Sequence, residues 1–131
     1  MNIGELSKIS GVSDKMIRHY EAIGLLPKAR RSESGYRKYS EKDAHNLIFI
    51  KRSRQLGFST AEIKTLIGLW KNKNRTSKEV KKLASAHLEE LEQKISDLQE
   101  MADSIRHLVH CCSGDERPEC PILENLEVSV G

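Results

Sequence analysis

The sequence predicts a mainly α chain: a winged helix-turn-helix first, a long coiled-coil helix next, and last a short cysteine-bearing loop with a brief helix. Three observations carry this. Gly11 and Ser13 divide two short stretches of helical apolar spacing. A Ser34-Gly35 turn follows between two basic extended arms. Apolar residues then recur at alternating spacings of four and three from Ala84 to Val109. The expected divisions are residues 1–76, 77–111 and 112–131.

Ile3, Leu6, Ile9 and Val12 give the first helix an apolar face, Gly11 breaks it, and Ser13 is suited to cap a second helix. In that second helix Met16, Ile17 and Tyr20 are expected to pack inward while Lys15, Arg18 and His19 point out, a polar face of the kind that enters a major groove. Gly24 ends it. Pro27 to Tyr39 then forms a basic wing, in which Tyr36 and Tyr39 are rings able to pack beside sugar and phosphate. A solvated charged hairpin is the plainer reading of such a segment, but its place directly after a helix-turn-helix favours DNA.

Charge is divided along the chain in the same sense. Residues 1–76 hold 16 Lys/Arg against 7 Asp/Glu and residues 77–131 hold 6 against 12, so a net charge of +3 conceals halves of +9 and −6. The basic half is suited to a phosphate backbone, with affinity that falls as salt rises; the acidic half is not.

A third helix is expected to open at Ser40, with Glu41 and Asp43 near its N-terminus, and to run toward Leu56-Gly57. Its basic end, with Lys51, Arg52 and Arg54, either approaches phosphates or is a solvated face. Ser59-Thr60-Ala61-Glu62 is a capping box for a fourth helix, whose apolar stripe includes Ile63, Leu66, Ile67, Leu69 and Trp70. Trp70 is expected in the core or against the next helix. After a polar break, Ser77 begins the longest helix, and Ala84, Leu88, Leu91, Ile95, Leu98, Ala102, Ile105 and Val109 mark its heptad seam. Such a seam needs a partner. The upstream helices are short, so pairing of two chains into a homodimer is favoured over packing along the chain's own domain. Spacing alone leaves the pairing parallel or antiparallel.

With 37% hydrophobic and 31% charged residues, the composition is that of a soluble helical protein. No signal, transit or membrane-spanning segment is read, so the expected compartment is the cytoplasm, without membrane contact, where thiols stay reduced. No nucleophile elbow, phosphate loop or useful pair of carboxylates is present, which argues against an enzyme.

All three cysteines lie together, at Cys111, Cys112 and Cys120. Cys112 and Cys120 flank a loop containing Gly114 and Pro118 that can fold back and turn the two sulfurs toward one ion. Two thiolates suit Cu(I), Ag(I) or Au(I), whereas Zn(II) normally takes four ligands. Buried or incidental cysteines and a disulfide remain the other readings of this spacing.

At this point the residues carry a resemblance. Ile17-Arg18-His19-Tyr20-Glu21, Gly24-Leu25, Arg31-Ser32, Gly35-Tyr36-Arg37, Tyr39 and Arg54-Gln55-Leu56-Gly57-Phe58 resemble the MerR family of transcription regulators. Ser77, the Cys112 and Cys120 pair, and Cys120-Pro121-Ile122-Leu123-Glu124-Asn125-Leu126 resemble its branch that senses monovalent copper-group ions. The resemblance implies a winged helix-turn-helix dimer with an antiparallel coiled coil. It would bind promoter DNA, distort it when metal binds, and let RNA polymerase transcribe efflux or detoxification genes. Carried over, Lys15, Arg18 and His19 would lie on the reading helix with Tyr20 beside them, and Arg31, Tyr36, Arg37 and Arg54 would hold the DNA backbone. Cys112 and Cys120 would be the metal ligands. Ser77 would set selectivity, because it stands where divalent-ion sensors resemble one another in carrying a cysteine. Cys111 is expected to be a bystander. The alternative is a regulator of the same family responding to a divalent metal or to thiol oxidation, with His107 and His110 joining the cysteines around Zn(II).

Overall fold

The computed structural model describes residues 1–127, so residues 128–131 of the expected last segment lie outside the described residues. The elements are α1 (Ile3–Ser10), α2 (Asp14–Ala22), β1 (Arg30–Arg31), β2 (Arg37–Lys38), α3 (Glu41–Gln55), α4 (Thr60–Lys71), α5 (Ser77–Cys111) and α6 (Pro121–Glu127). Two compact units result, one covering Met1–Lys81 and one beginning at Lys82.

Side-chain caps set the helix starts of the first unit. Asn2, Ser40 and Ser59 each accept the N–H three residues on, while Glu5, Asp43 and Glu62 return a bond to the cap's own N–H. Ser13 caps α2 through the Met16 N–H at 3.2 Å. Between α1 and α2 the turn is made by Gly11 at φ 72°, a left-handed conformation that a side chain disfavours. Helix α1 packs on α2 and α3, and α3 on α4. Leu6, Ile17, Leu26, Leu47, Ile50 and Ile63 are fully buried there, each contributing about 1.5–3 kcal/mol of burial free energy.

Four side chains depart from the positions expected of them. Ile9 and Met16 are exposed rather than inward, because helices this short need only Leu6 with Val12, and Ile17 with Tyr20, to cover the core. Tyr39 is buried, at 3% exposure, and so cannot lie against sugar or phosphate as expected; it immediately follows β2, where the chain turns in toward α3. Trp70 stacks on Phe49 of α3, with centroids 4.4 Å apart and planes within 5°, instead of on the following helix.

Helix α5 is 35 residues long, about 50 Å at 1.5 Å per residue. Its seam side chains Leu88, Ile95, Leu98, Ile105 and Val109 are each 53–65% exposed in the single chain.

Candidate DNA interface and thiol centre

Within the first unit, α2 turns Ile17 and Tyr20 into the core and leaves Lys15, Arg18 and His19 exposed on its outer face. Tyr20, predicted beside the readers, is only 6% exposed, which places its ring in the core, tilted against His19 at 5.9 Å between centroids. Arg18 lines a groove of about 390 Å³ with Glu21, Lys28, Arg31 and Arg37, so the reading helix and the wing meet around one cationic depression.

The wing is a tight antiparallel hairpin. Arg30 lies opposite Lys38 and Arg31 opposite Arg37, and all four are exposed. Like charges directly across a ladder destabilise it, so this arrangement serves an external anion rather than the hairpin itself. Its tip closes through Gly35 N–H to the Ser32 carbonyl at 2.9 Å and Arg31 Nη1 to the Gly35 carbonyl at 3.2 Å. Tyr36 stands out at the tip, 75% exposed. Arg54, at the end of α3, is exposed and donates to the Phe58 carbonyl at 3.1 Å. It shares a depression with Gly11, Ser13, Met16 and Lys51, beside the start of α2.

Glu21, to which no role was assigned from sequence, ties these parts together. Its carboxylate accepts the Tyr39 hydroxyl and, at 3.4 Å, the Ala29 N–H, linking the reading helix to both ends of the wing. Burial and the Glu21 carboxylate push the Tyr39 phenol up to about 12, against a smaller opposing pull from Arg37. Eighteen residues separate the pair, and no periodicity signals such a contact.

In the second unit, α5 ends at Cys111, and the Cys112 N–H still bonds to the Leu108 carbonyl at 3.1 Å. The loop reverses through Gly114 at φ 66° and is braced by Arg117, which donates to Asp115 and to the Ser113 hydroxyl. That contact holds the Asp115 carboxyl below the usual carboxylate range. Cys120 immediately precedes α6, and its carbonyl accepts the Glu124 N–H at 3.0 Å. The backbone N–H groups of Leu123 and Ile122 point at its sulfur and the Cys112 side chain bonds to it, drawing the thiol below its ordinary value despite partial burial and the nearby Glu124. Cys112 and Cys120 are both half-buried and unoxidised, whereas Cys111 is exposed. Two soft donors facing each other at a helix start, where backbone N–H groups favour the thiolate, fit a two-coordinate thiophilic ion. Ser77 is exposed at the first position of α5, in the other unit.

A helix-turn-helix whose reading helix and wing both present cations defines a DNA-binding regulator. The family description "MerR HTH family regulatory protein" matches residues 1–70 and "MerR, DNA binding" matches residues 44–108. The chain belongs to the MerR family. It is 53% identical to "Heavy metal-dependent transcription regulator 2" of Rhizobium meliloti, over 96% of this chain and 86% of that one. It is 39% identical to "HTH-type transcriptional regulator CueR" of Escherichia coli, over 96% and 93%. Among solved structures, PbrR691 from Ralstonia metallidurans in complex with lead(II) superposes with a TM-score of 0.86 at 33% identity, covering 96% of this chain and 98% of that one. Family and relatives are transcription regulators, not enzymes. Among the described residues, no helix is long and apolar enough to cross a membrane.

Proposed function

We propose that this chain is a metal-responsive transcription regulator that binds promoter DNA as a homodimer and activates efflux or detoxification genes when Cu(I), Ag(I) or Au(I) is held by Cys112 and Cys120. The observation that carries the proposal is the paired, thiolate-favouring arrangement of these two sulfurs, with Cys111 exposed to one side. Kinship with regulators named as heavy-metal dependent supports the stimulus, and 39% identity to a protein named CueR supports the copper-group reading. Ser77 in place of a thiolate keeps the donor count low.

Lys15, Arg18 and His19 would read the major groove, with Tyr20 setting the helix from the core side, while Arg31, Tyr36, Arg37 and Arg54 hold phosphates. The exposed seam of α5 would pair two chains through an antiparallel coiled coil, and the bound promoter would present itself to RNA polymerase. Distorting a site of this size takes about 1–6 kcal/mol, which phosphate contacts must supply. Bound metal supplies the bias, provided it is held better in the activating conformation than in the repressing one.

X-ray absorption at the copper edge, on protein loaded anaerobically with Cu(I), tests the centre in wild type, Cys112→Ser and Cys120→Ser. The expected result is two sulfur scatterers in wild type, reduced in either variant, with loss of a metal-induced promoter response. Nitrogen or additional sulfur scatterers would overturn the two-coordinate assignment. They would favour the divalent or redox alternative, to which the structural likeness to a lead(II)-bound protein gives its specific support.

A further inference from the structure

We infer that His107 and Cys111 form a second metal site, independent of the Cys112 and Cys120 pair, that takes a borderline divalent ion of the zinc class. The two residues stand one turn apart on α5, and the Cys111 sulfur lies 3.8 Å from His107 Nε2. A tetrahedral zinc ion with one thiolate and one imidazole, at about 2.3 and 2.0–2.1 Å, separates sulfur from nitrogen by about 3.6 Å. The present side chains are therefore within a few tenths of an ångström of chelating geometry without a change of rotamer.

Three further features favour a cation there. The pair occupies the C-terminal turn of α5, where the unpaired carbonyls and the helix dipole attract positive charge. The nearby Arg106 is neutralised by Asp103 at 2.6 Å, so it opposes an incoming ion only weakly. Register supplies the third. With Ile105 and Val109 on the seam, His107 and Cys111 fall at the f and c heptad positions of the outer face, so pairing of two helices leaves them open to solvent; both are exposed. The next residue, Cys112, continues the seam side and is half-buried. Adjacent cysteines thus face different surroundings: one belongs to a shielded sulfur pair, the other to a surface chelate with two coordination positions left for water.

The test uses the full chain carrying Cys112→Ser and Cys120→Ser, so that Cys111 is the sole thiol and the outcome does not depend on the copper-group reading. Co(II), a spectroscopic substitute for zinc, is titrated anaerobically and the thiolate-to-cobalt charge-transfer band is followed. The expected result is a saturable band with one equivalent per chain, abolished by adding Cys111→Ser, weakened at least tenfold by His107→Ala and retained in His110→Ala. No band at millimolar cobalt would overturn the site, and so would a band unaffected by His107→Ala or equally weakened by His110→Ala.

Discussion

Leu98 is the residue at which the pairing of two chains is most open to attack. Its side chain keeps 63% of its surface exposed in the single chain, and full burial of a leucine is worth about 1.5–3 kcal/mol. Covering the remaining area would therefore contribute about 1–2 kcal/mol per side chain, or about 2–4 kcal/mol for the two copies in a dimer. Leu98→Glu removes this and places two carboxylates in the seam, so the loss exceeds about 3 kcal/mol, more than a hundredfold in dimer dissociation constant. Since Leu98 covers no core in its own chain, the fold should stay intact. Sedimentation velocity at low micromolar concentration is expected to show a shift from dimer to monomer, with unchanged far-ultraviolet circular dichroism and greatly weakened binding to a two-half-site promoter. Glu100→Gln, on the outer face, should leave the dimer as it was. A Leu98→Glu protein that sediments as a dimer, at the dilution where wild type does, would refute the assignment of this seam.

The contact between reading helix and wing is open to two further measurements. Tyr39→Phe leaves the Glu21 carboxylate without its hydroxyl donor and should reduce stability by about 1.5–3 kcal/mol, the range for a hydrogen bond to a charged group; unchanged denaturant midpoints would contradict this. Folding raises the phenol's pKa to about 12, so its contribution is fully present below about pH 10, where the unfolded phenol titrates, and is lost as pH climbs through 12; tyrosinate absorbance should lose its highest-pH component in the variant. Arg31→Ala removes one wing cation, and the slope of log affinity against log salt should become shallower by about 0.9, while discrimination among base sequences stays the same; a wholly unaltered salt slope would take Arg31 off the phosphate backbone.

How far the molecule was legible from its sequence differs between elements for physical reasons. Ser40 and Ser59 with their acids three residues on announce α3 and α4, because capping is local chemistry. The long register of α5 is equally plain, since repetition over many turns averages out local accidents. Tyr39 and Trp70 were misplaced because their surroundings are set by Glu21 and Phe49, which are brought near only by tertiary folding. Ile9 and Met16 show the limit of periodicity in helices of two turns, where a face can be named but its edges cannot. At the thiol centre, spacing and resemblance singled out Cys112 and Cys120. The N–H groups of Leu123 and Ile122 that favour a thiolate at Cys120 are visible only once α6 is seen to start directly after it.

The wing has a further consequence. A ladder of two residues per strand, with a cation facing a cation at both rungs, has little internal reason to persist. Phosphate is then a reactant in the hairpin's own folding equilibrium, and polyanion concentration draws it toward order by mass action. Hydrogen exchange at the Ser32 and Gly35 amides, whose bonds close the tip, therefore describes one hairpin in the free protein and a more slowly exchanging one on the duplex. The shape that fits DNA is in part made by the DNA it fits.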